Sequence, residues 1–153
     1  MYKPLNTTVA FTIKYDGIVN ALYTNCGIYK AFKPTTQYKI NPTNFKALWD
    51  TGATDTVVSK KVVDALKLQP TGITGMVHAD GKTTVNTHSV SIFLPNDVVI
   101  SAIRVLECNL PSDIDILIGM DIISKGDFAI TSSNGKTKFS FQMPSTHDIE
   151  FVV

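Results

Sequence analysis

Ala47-Leu48-Trp49-Asp50-Thr51-Gly52-Ala53-Thr54-Asp55-Thr56-Val57 sets an acid and two small residues directly after an apolar run. Tyr38 to Ile40 and Phe45 to Trp49 read as two short strands separated by an Asn41-Pro42 turn, and the second delivers the chain to Asp50-Thr51-Gly52. At such a strand end, backbone groups can surround a carboxylate. Aspartate and glycine also populate ordinary turns for local reasons, so Asp-Thr-Gly taken alone has a plain alternative. A second element decides the matter: Ile116-Leu117-Ile118-Gly119-Met120-Asp121-Ile122-Ile123 follows downstream, after a long hairpin.

Outward from the motif, Ser59 is a plausible N-cap for a helix running to about Leu68, with Val62, Val63 and Leu66 on one side and Pro70 beyond its end. The hairpin comprises Ile73 to Ala79, a turn at Asp80-Gly81, and Thr83 to Leu94; its tip is too weakly apolar to be core, so it is expected to project. Val98 to Leu106 and Asp113 to Ile118 read as further strands, and a short helix follows Gly119 until Gly126 stops it. Phe128 to Thr131 and Lys136 to Phe141 are expected to pair across a two-residue Asn134-Gly135 turn. Toward the N-terminus, Val9, Phe11, Ile13 and Tyr15 alternate with period two. Residues 18 to 32 continue as β structure, with an expected interruption from Asn25 to Gly27.

The 153 residues suit one domain, 44% hydrophobic and 18% charged, which excludes a disordered chain. Valine, isoleucine and threonine number 47, against nine each of alanine and leucine and two glutamates, so the fold is expected to be mostly β. The 14 basic residues are 13 scattered lysines and Arg104, a distribution that argues against nucleic-acid binding. No apolar run approaches the roughly 20 residues of a membrane span, and the first residues lack the apolar core of a secretory signal, which points to a cytoplasmic protein. In that setting Cys26 and Cys108 are expected as free thiols. His78, His88 and His147 share no metal-ligand spacing with the cysteines and read as surface or satisfied core histidines; neither a metal nor a cofactor is expected. Ser59 and Ser101 have no recognisable base beside them.

In the Asp-Thr-Gly-Ala motif, the hairpin from Met76 to Thr84 and the apolar-apolar-Gly element before a helix, the chain resembles the retropepsin-like aspartic proteases. The resemblance covers residues 45 to 143 and is greatest to the single-domain, bacterial type, through Ile118-Gly119-Met120-Asp121-Ile122-Ile123 and Gly126-Asp127-Phe128-Ala129-Ile130. Trp49 stands where the family usually has a smaller aliphatic residue. The resemblance implies a closed or partly open β-barrel with one or two short helices. One domain, 1–153, would then comprise an N-terminal β scaffold (1–44), a protease core (45–143) and a C-terminal dimerisation tail (144–153).

The same resemblance implies an aspartic endopeptidase acting on polypeptides, in which two aspartates share a proton around one water. Asp-Thr-Gly occurs once, so the second aspartate must come from another copy, across the twofold axis of a homodimer. Asp50, Thr51 and Gly52 would be the catalytic triplet, Thr51 bracing the two loops and Gly52 admitting the substrate backbone. Ala53, Thr54, Asp55, Met76, Val77, His78, Ala79, Asp80, Gly81 and Leu117 would bind an extended substrate under the hairpin as a mobile flap. For Thr54 and Asp55 a solvated turn is the alternative. Asp121, in a first helical turn, is assigned a structural role. By resemblance Asp115 lies near a substrate pocket, the alternative being a solvent-facing strand end. The apolar stretch Ile149 to Val153 is expected as an interface strand. The rival to the enzyme is a noncatalytic peptide-binding or dimerisation module with the same fold; Asp50 is the residue that separates the two.

Overall fold

The computed structural model describes residues 8–32, 40–78 and 81–152, and for His78 the backbone alone. Tyr38 and Lys39 of the expected strand from Tyr38 to Ile40, the hairpin residues Ala79 and Asp80, and Val153 lie outside them, and Ile40 is not part of a strand. Period-two alternation gives β1 (Val9–Lys14), whose Phe11 is buried while its neighbour Thr12 faces solvent. Next come β2 (Leu22–Lys30) and β3 (Thr43–Trp49). The anticipated break in β2 at Asn25–Gly27 is absent: the strand runs through, pairing Cys26 with Phe45 and Gly27 with Asn44. Glycine is required there for space and not for a turn, since a Cβ on Gly27 would lie 2.7 Å from Pro42 Cβ.

After β4 (Val57–Ser59), helix α1 (Lys60–Leu66) buries Val62 and Val63. It stops short of Leu68 because Lys67 adopts a left-handed conformation at φ 50° and donates its N–H to Asp64 O. Ser59 occupies the N-cap position without capping; its buried hydroxyl finds no partner among the described residues. The hairpin of β5 (Gly72–His78) and β6 (Gly81–Leu94) follows, paired from Gly72 opposite Thr87 to His78 opposite Gly81. Then come β7 (Val98–Cys108), β8 (Ile116–Ile118), helix α2 (Met120–Ile123), β9 (Asp127–Thr131) and β10 (Lys138–Met143).

Six strands close a barrel in the order β2-β3-β8-β4-β7-β6, sealed by the antiparallel β2–β6 pair, and β5 extends β6 beyond it. Ile28, Val58, Val90, Ile92, Ile116 and Ile118 fill the interior without exposure. The decisive crossover is β8, which enters between β3 and β4, parallel to the first and antiparallel to the second. Two strands adjacent in sequence are thereby held apart by one arriving about 60 residues later, and the segment between them, 50–56, lies across the end of β8.

A second sheet, β1-β10-β9, packs on this end through aromatic rings. Trp49, at the last residue of β3, lies 5.0 to 6.0 Å by ring centroid from Phe139, Phe141, Phe128 and Phe11, and its indole N–H donates to Thr24 Oγ1 at 3.0 Å. The extra bulk of tryptophan thus joins the two sheets. The turn between β9 and β10 is wider than the two residues expected. Asn134 and Gly135 do take left-handed conformations, but Thr131 pairs with Lys138, leaving a six-residue loop. The cause is Thr137, buried, which leaves the strand to bond the chain before β2: its N–H donates to Gly17 O and its hydroxyl accepts from Val19 N–H. Both cysteines are free thiols; burial, reinforced by the charge of Asp115, pushes the Cys26 thiol up to about 12. Among the described residues no helix is long and apolar enough to cross a membrane.

Candidate active site

Asp50 follows the last residue of β3 and is partly exposed. Its N–H donates to Ile118 O at 2.9 Å, carrying the β3–β8 pairing one step past the strand, and its carbonyl accepts from Ala53 N–H at 3.2 Å to close a turn. Within that turn Gly52 N–H donates to Asp50 Oδ1 at 2.8 Å, which orients the carboxylate. A Cβ on Gly52 would come within 3.1 Å of that oxygen, so the position keeps a close approach open. Thr51 and Gly52 are exposed beside it.

The rest of the loop is pinned by the start of α2. Met120 N–H donates to Ala53 O at 2.8 Å and Asp121 N–H to Thr54 O at 3.1 Å. Thr56 is fully buried; its hydroxyl donates to Asp121 Oδ1 at 2.7 Å and accepts from Gly119 N–H at 3.1 Å. Gly119 is needed where these segments cross, because a Cβ there would stand 2.7 Å from the carbonyl carbon and oxygen of Asp55. The Asp-Thr-Gly loop and the Ile-Gly-Met-Asp element are therefore one bonded unit. The structural assignment of Asp121 gains a specific partner in Thr56.

Asp55 is partly exposed and receives Arg104 Nη2 at 3.0 Å on Oδ1. Local sequence gave no sign of this pair, which depends on β7 lying beside β4. Thr54 is exposed, and Leu117, in the middle of β8, is partly buried. Met76, Val77 and Gly81 lie on the β5–β6 hairpin with the backbone of His78. Val77 is largely exposed, while Met76 is partly covered and its sulfur is 3.2 Å from Cys108 Sγ. Among the described residues no hydrogen bond joins hairpin residues 76–81 to the loop 50–55. Ala79 and Asp80 lie outside the described residues.

Asp115 is not a solvent-facing strand end. It is buried; its Oδ2 accepts Lys46 N–H at 3.0 Å and its Oδ1 accepts Lys61 Nζ at 2.8 Å, while its own N–H donates to Lys46 O. Burial opposes its charged form, but the Lys61 and Lys46 hydrogen bonds outweigh it and hold the carboxyl below its ordinary value. His88 is a satisfied core histidine, with Nδ1 3.1 Å from Gln69 O and Nε2 3.0 Å from Glu107 Oε2. His147 bonds Asp127, which also accepts from the Ser145 hydroxyl and the N–H of Thr146; these bonds hold the Asp127 carboxyl well below the usual carboxylate range.

No curated protein matches the chain significantly. Among solved structures it is similar to a retropepsin-like aspartic protease from Rickettsia conorii, 19% identical, over 94% of this chain and 98% of that one, with a TM-score of 0.56. It is also similar to EIAV protease complexed with the inhibitor HBY-793, 22% identical, over 69% of this chain and 86% of that one, with a TM-score of 0.52. At these identities the likeness is one of fold. The sequence model of the gag-polyprotein putative aspartyl protease family matches residues 36–125, a span that contains the Asp50 loop, the hairpin and α2. With the closed barrel and the Asp50 loop bonded to the Gly119 segment, that match makes the chain a member of the retropepsin-like aspartic proteases.

Proposed function

We propose that this chain is an aspartic endopeptidase that hydrolyses peptide bonds with a water activated by two Asp50 carboxylates, one from each subunit of a homodimer. One observation carries the reading: Asp50 is held by its backbone at a barrel-strand end with its carboxylate oriented and partly open, and the chain holds one such motif. One carboxylate cannot accept the water proton and protonate the scissile carbonyl at once. Two on a twofold axis can, because carboxylates about 3 Å apart share a proton instead of both ionising.

Asp50, Thr51 and Gly52 then form the catalytic loop. Ala53, Thr54, Asp55 and Leu117 line the floor of the cleft, and Met76, Val77, His78, Ala79, Asp80 and Gly81 form the flap that covers an extended peptide. The segment 144–152 fits the role of an interface element: it forms no strand within the subunit, and Ile149, Phe151 and Val152 are 64%, 95% and 91% exposed. Val153 completes the proposed tail. The cytoplasm suits free thiols. Incubating the protein with a random peptide library across acidic and neutral pH, with Asp50→Asn as control, tests the reading. Cleavage confined to the wild-type protein supports it, and cleavage that persists in Asp50→Asn rejects it.

A further inference from the structure

Arg104 is the only arginine of the chain, and its placement follows from barrel register. β4 and β7 run parallel with Val57 opposite Leu106, so counting two residues back along each brings Asp55 level with Arg104. The guanidinium meets the carboxylate through a single contact, Nη2 to Oδ1 at 3.0 Å, with side chains 55% and 37% exposed. A guanidinium carries five N–H donors, and Asp55 is its one carboxylate partner among the described residues. The backbone of Asp55 is fixed against Gly119, next to the residue whose carbonyl accepts Asp50 N–H. The pair therefore belongs to the same rigid unit as the candidate catalytic carboxylate, with donor capacity left at an open rim.

We propose that Arg104 is a specificity-determining residue that favours substrates carrying an acidic side chain at one position flanking the cleaved bond; this rests on the peptidase reading. Without Arg104, the Asp55 carboxylate would be an uncompensated anion on the cleft floor and would select lysine or arginine in the substrate. With Arg104 in place Asp55 is already paired, and a substrate cation must displace an intramolecular partner. A substrate carboxylate meets the unused N–H groups in a geometry suited to forked, charge-assisted bonds. A bound peptide also displaces water from the pair, which strengthens both the attraction for glutamate and the penalty for lysine.

The test measures kcat/KM for peptides varied among Glu, Gln, Lys and Leu at each position flanking the scissile bond, using the wild-type protein, Arg104→Gln, Arg104→Lys and Asp55→Asn. Wild type is expected to favour Glu over Lys by about tenfold or more at one position. Arg104→Gln should erase or invert that ratio, Arg104→Lys should keep part of it, and Asp55→Asn, which releases the guanidinium, should raise it. A purely structural role would lower all four peptides together and leave the ratio alone. An unchanged Glu-to-Lys ratio at every position in Arg104→Gln overturns the inference; should that variant fail to fold, an unchanged ratio in Asp55→Asn does so. Cleavage lost in Asp50→Asn but indifferent to Arg104 leaves the peptidase reading standing and removes this inference alone. Cleavage that survives Asp50→Asn, or no cleavage by wild type, removes both.

Discussion

Thr56 donates its hydroxyl proton to the carboxylate of Asp121 at 2.7 Å from a fully buried position, and the same oxygen accepts Gly119 N–H. Two parts of the chain 65 residues apart are locked by one hydroxyl. Thr56→Val keeps the shape and removes both bonds, leaving a buried N–H unsatisfied. Its expected cost is about 2–4 kcal/mol, measured as a shift in denaturant midpoint. Thr56→Ser should retain most of the stability. Destabilisation by Thr56→Ser with little loss in Thr56→Val would place the contribution in the methyl group instead.

Trp49→Ala should destabilise by about 3–5 kcal/mol, since the ring is 5% exposed and sits among four phenylalanines. Trp49→Phe should cost less, losing bulk and the indole bond to Thr24. Chemical denaturation with tryptophan-independent detection by far-UV circular dichroism checks both. A loss under about 1 kcal/mol in Trp49→Ala would mean that the two sheets do not depend on this ring.

Glu107 gives a pH dependence with a definite sign. Its hydrogen bond from His88 is the main cause that holds its carboxyl below the ordinary value, with Asn86 adding to it against the cost of burial. A folded-state value below the unfolded one means stability that is present above the unfolded carboxylate range and is lost as pH falls through the folded value. Glu107→Gln should therefore be less stable than wild type near neutrality by about 1–3 kcal/mol, the difference shrinking as pH falls below the ordinary carboxylate range. Urea midpoints across that range test it. A difference that grows on acidification would contradict the assignment.

Removing residues 148–153 should make activity fall steeply with dilution, because weakening an interface makes the fraction of complete sites concentration-dependent. Asp127→Ala should act the same way more mildly, since Asp127 gathers Ser145, Thr146 and His147 just before the exposed tail. Sedimentation velocity with activity measured on the same dilution series provides the check. A truncated protein that remains a dimer, with activity per subunit independent of concentration, would take the tail out of the interface.

Much of the barrel was legible because its signals are local. Alternation in β1 and β6, the apolar strand before Asp50 and the Gly119 stop ahead of α2 need no knowledge of distant residues. What escaped was set by long-range register. Gly27 reads as a strand breaker until Pro42 is known to pack on it, and Asn134-Gly135 reads as a tight hairpin until Thr137 is seen to bond Gly17 and Val19. Asp115 carries no sequence sign of the Lys46 and Lys61 groups that make its burial tolerable. The partnership of Asp55 with Arg104 is invisible without the parallel pairing of β4 with β7. The Asp-Thr-Gly loop itself was readable because its own backbone shapes it: Gly52 and Ala53 bond back to Asp50 within three residues.

The claim that two Asp50 side chains make one site is tested most directly by subunit mixing. Wild-type and Asp50→Asn chains, mixed in equal amounts and allowed to exchange, should distribute at random between dimers, so that about one dimer in four carries two aspartates. Peptide cleavage should then be about one quarter of that of the same total concentration of wild-type protein. Activity of one half, the value for chains that act independently, would contradict a shared site.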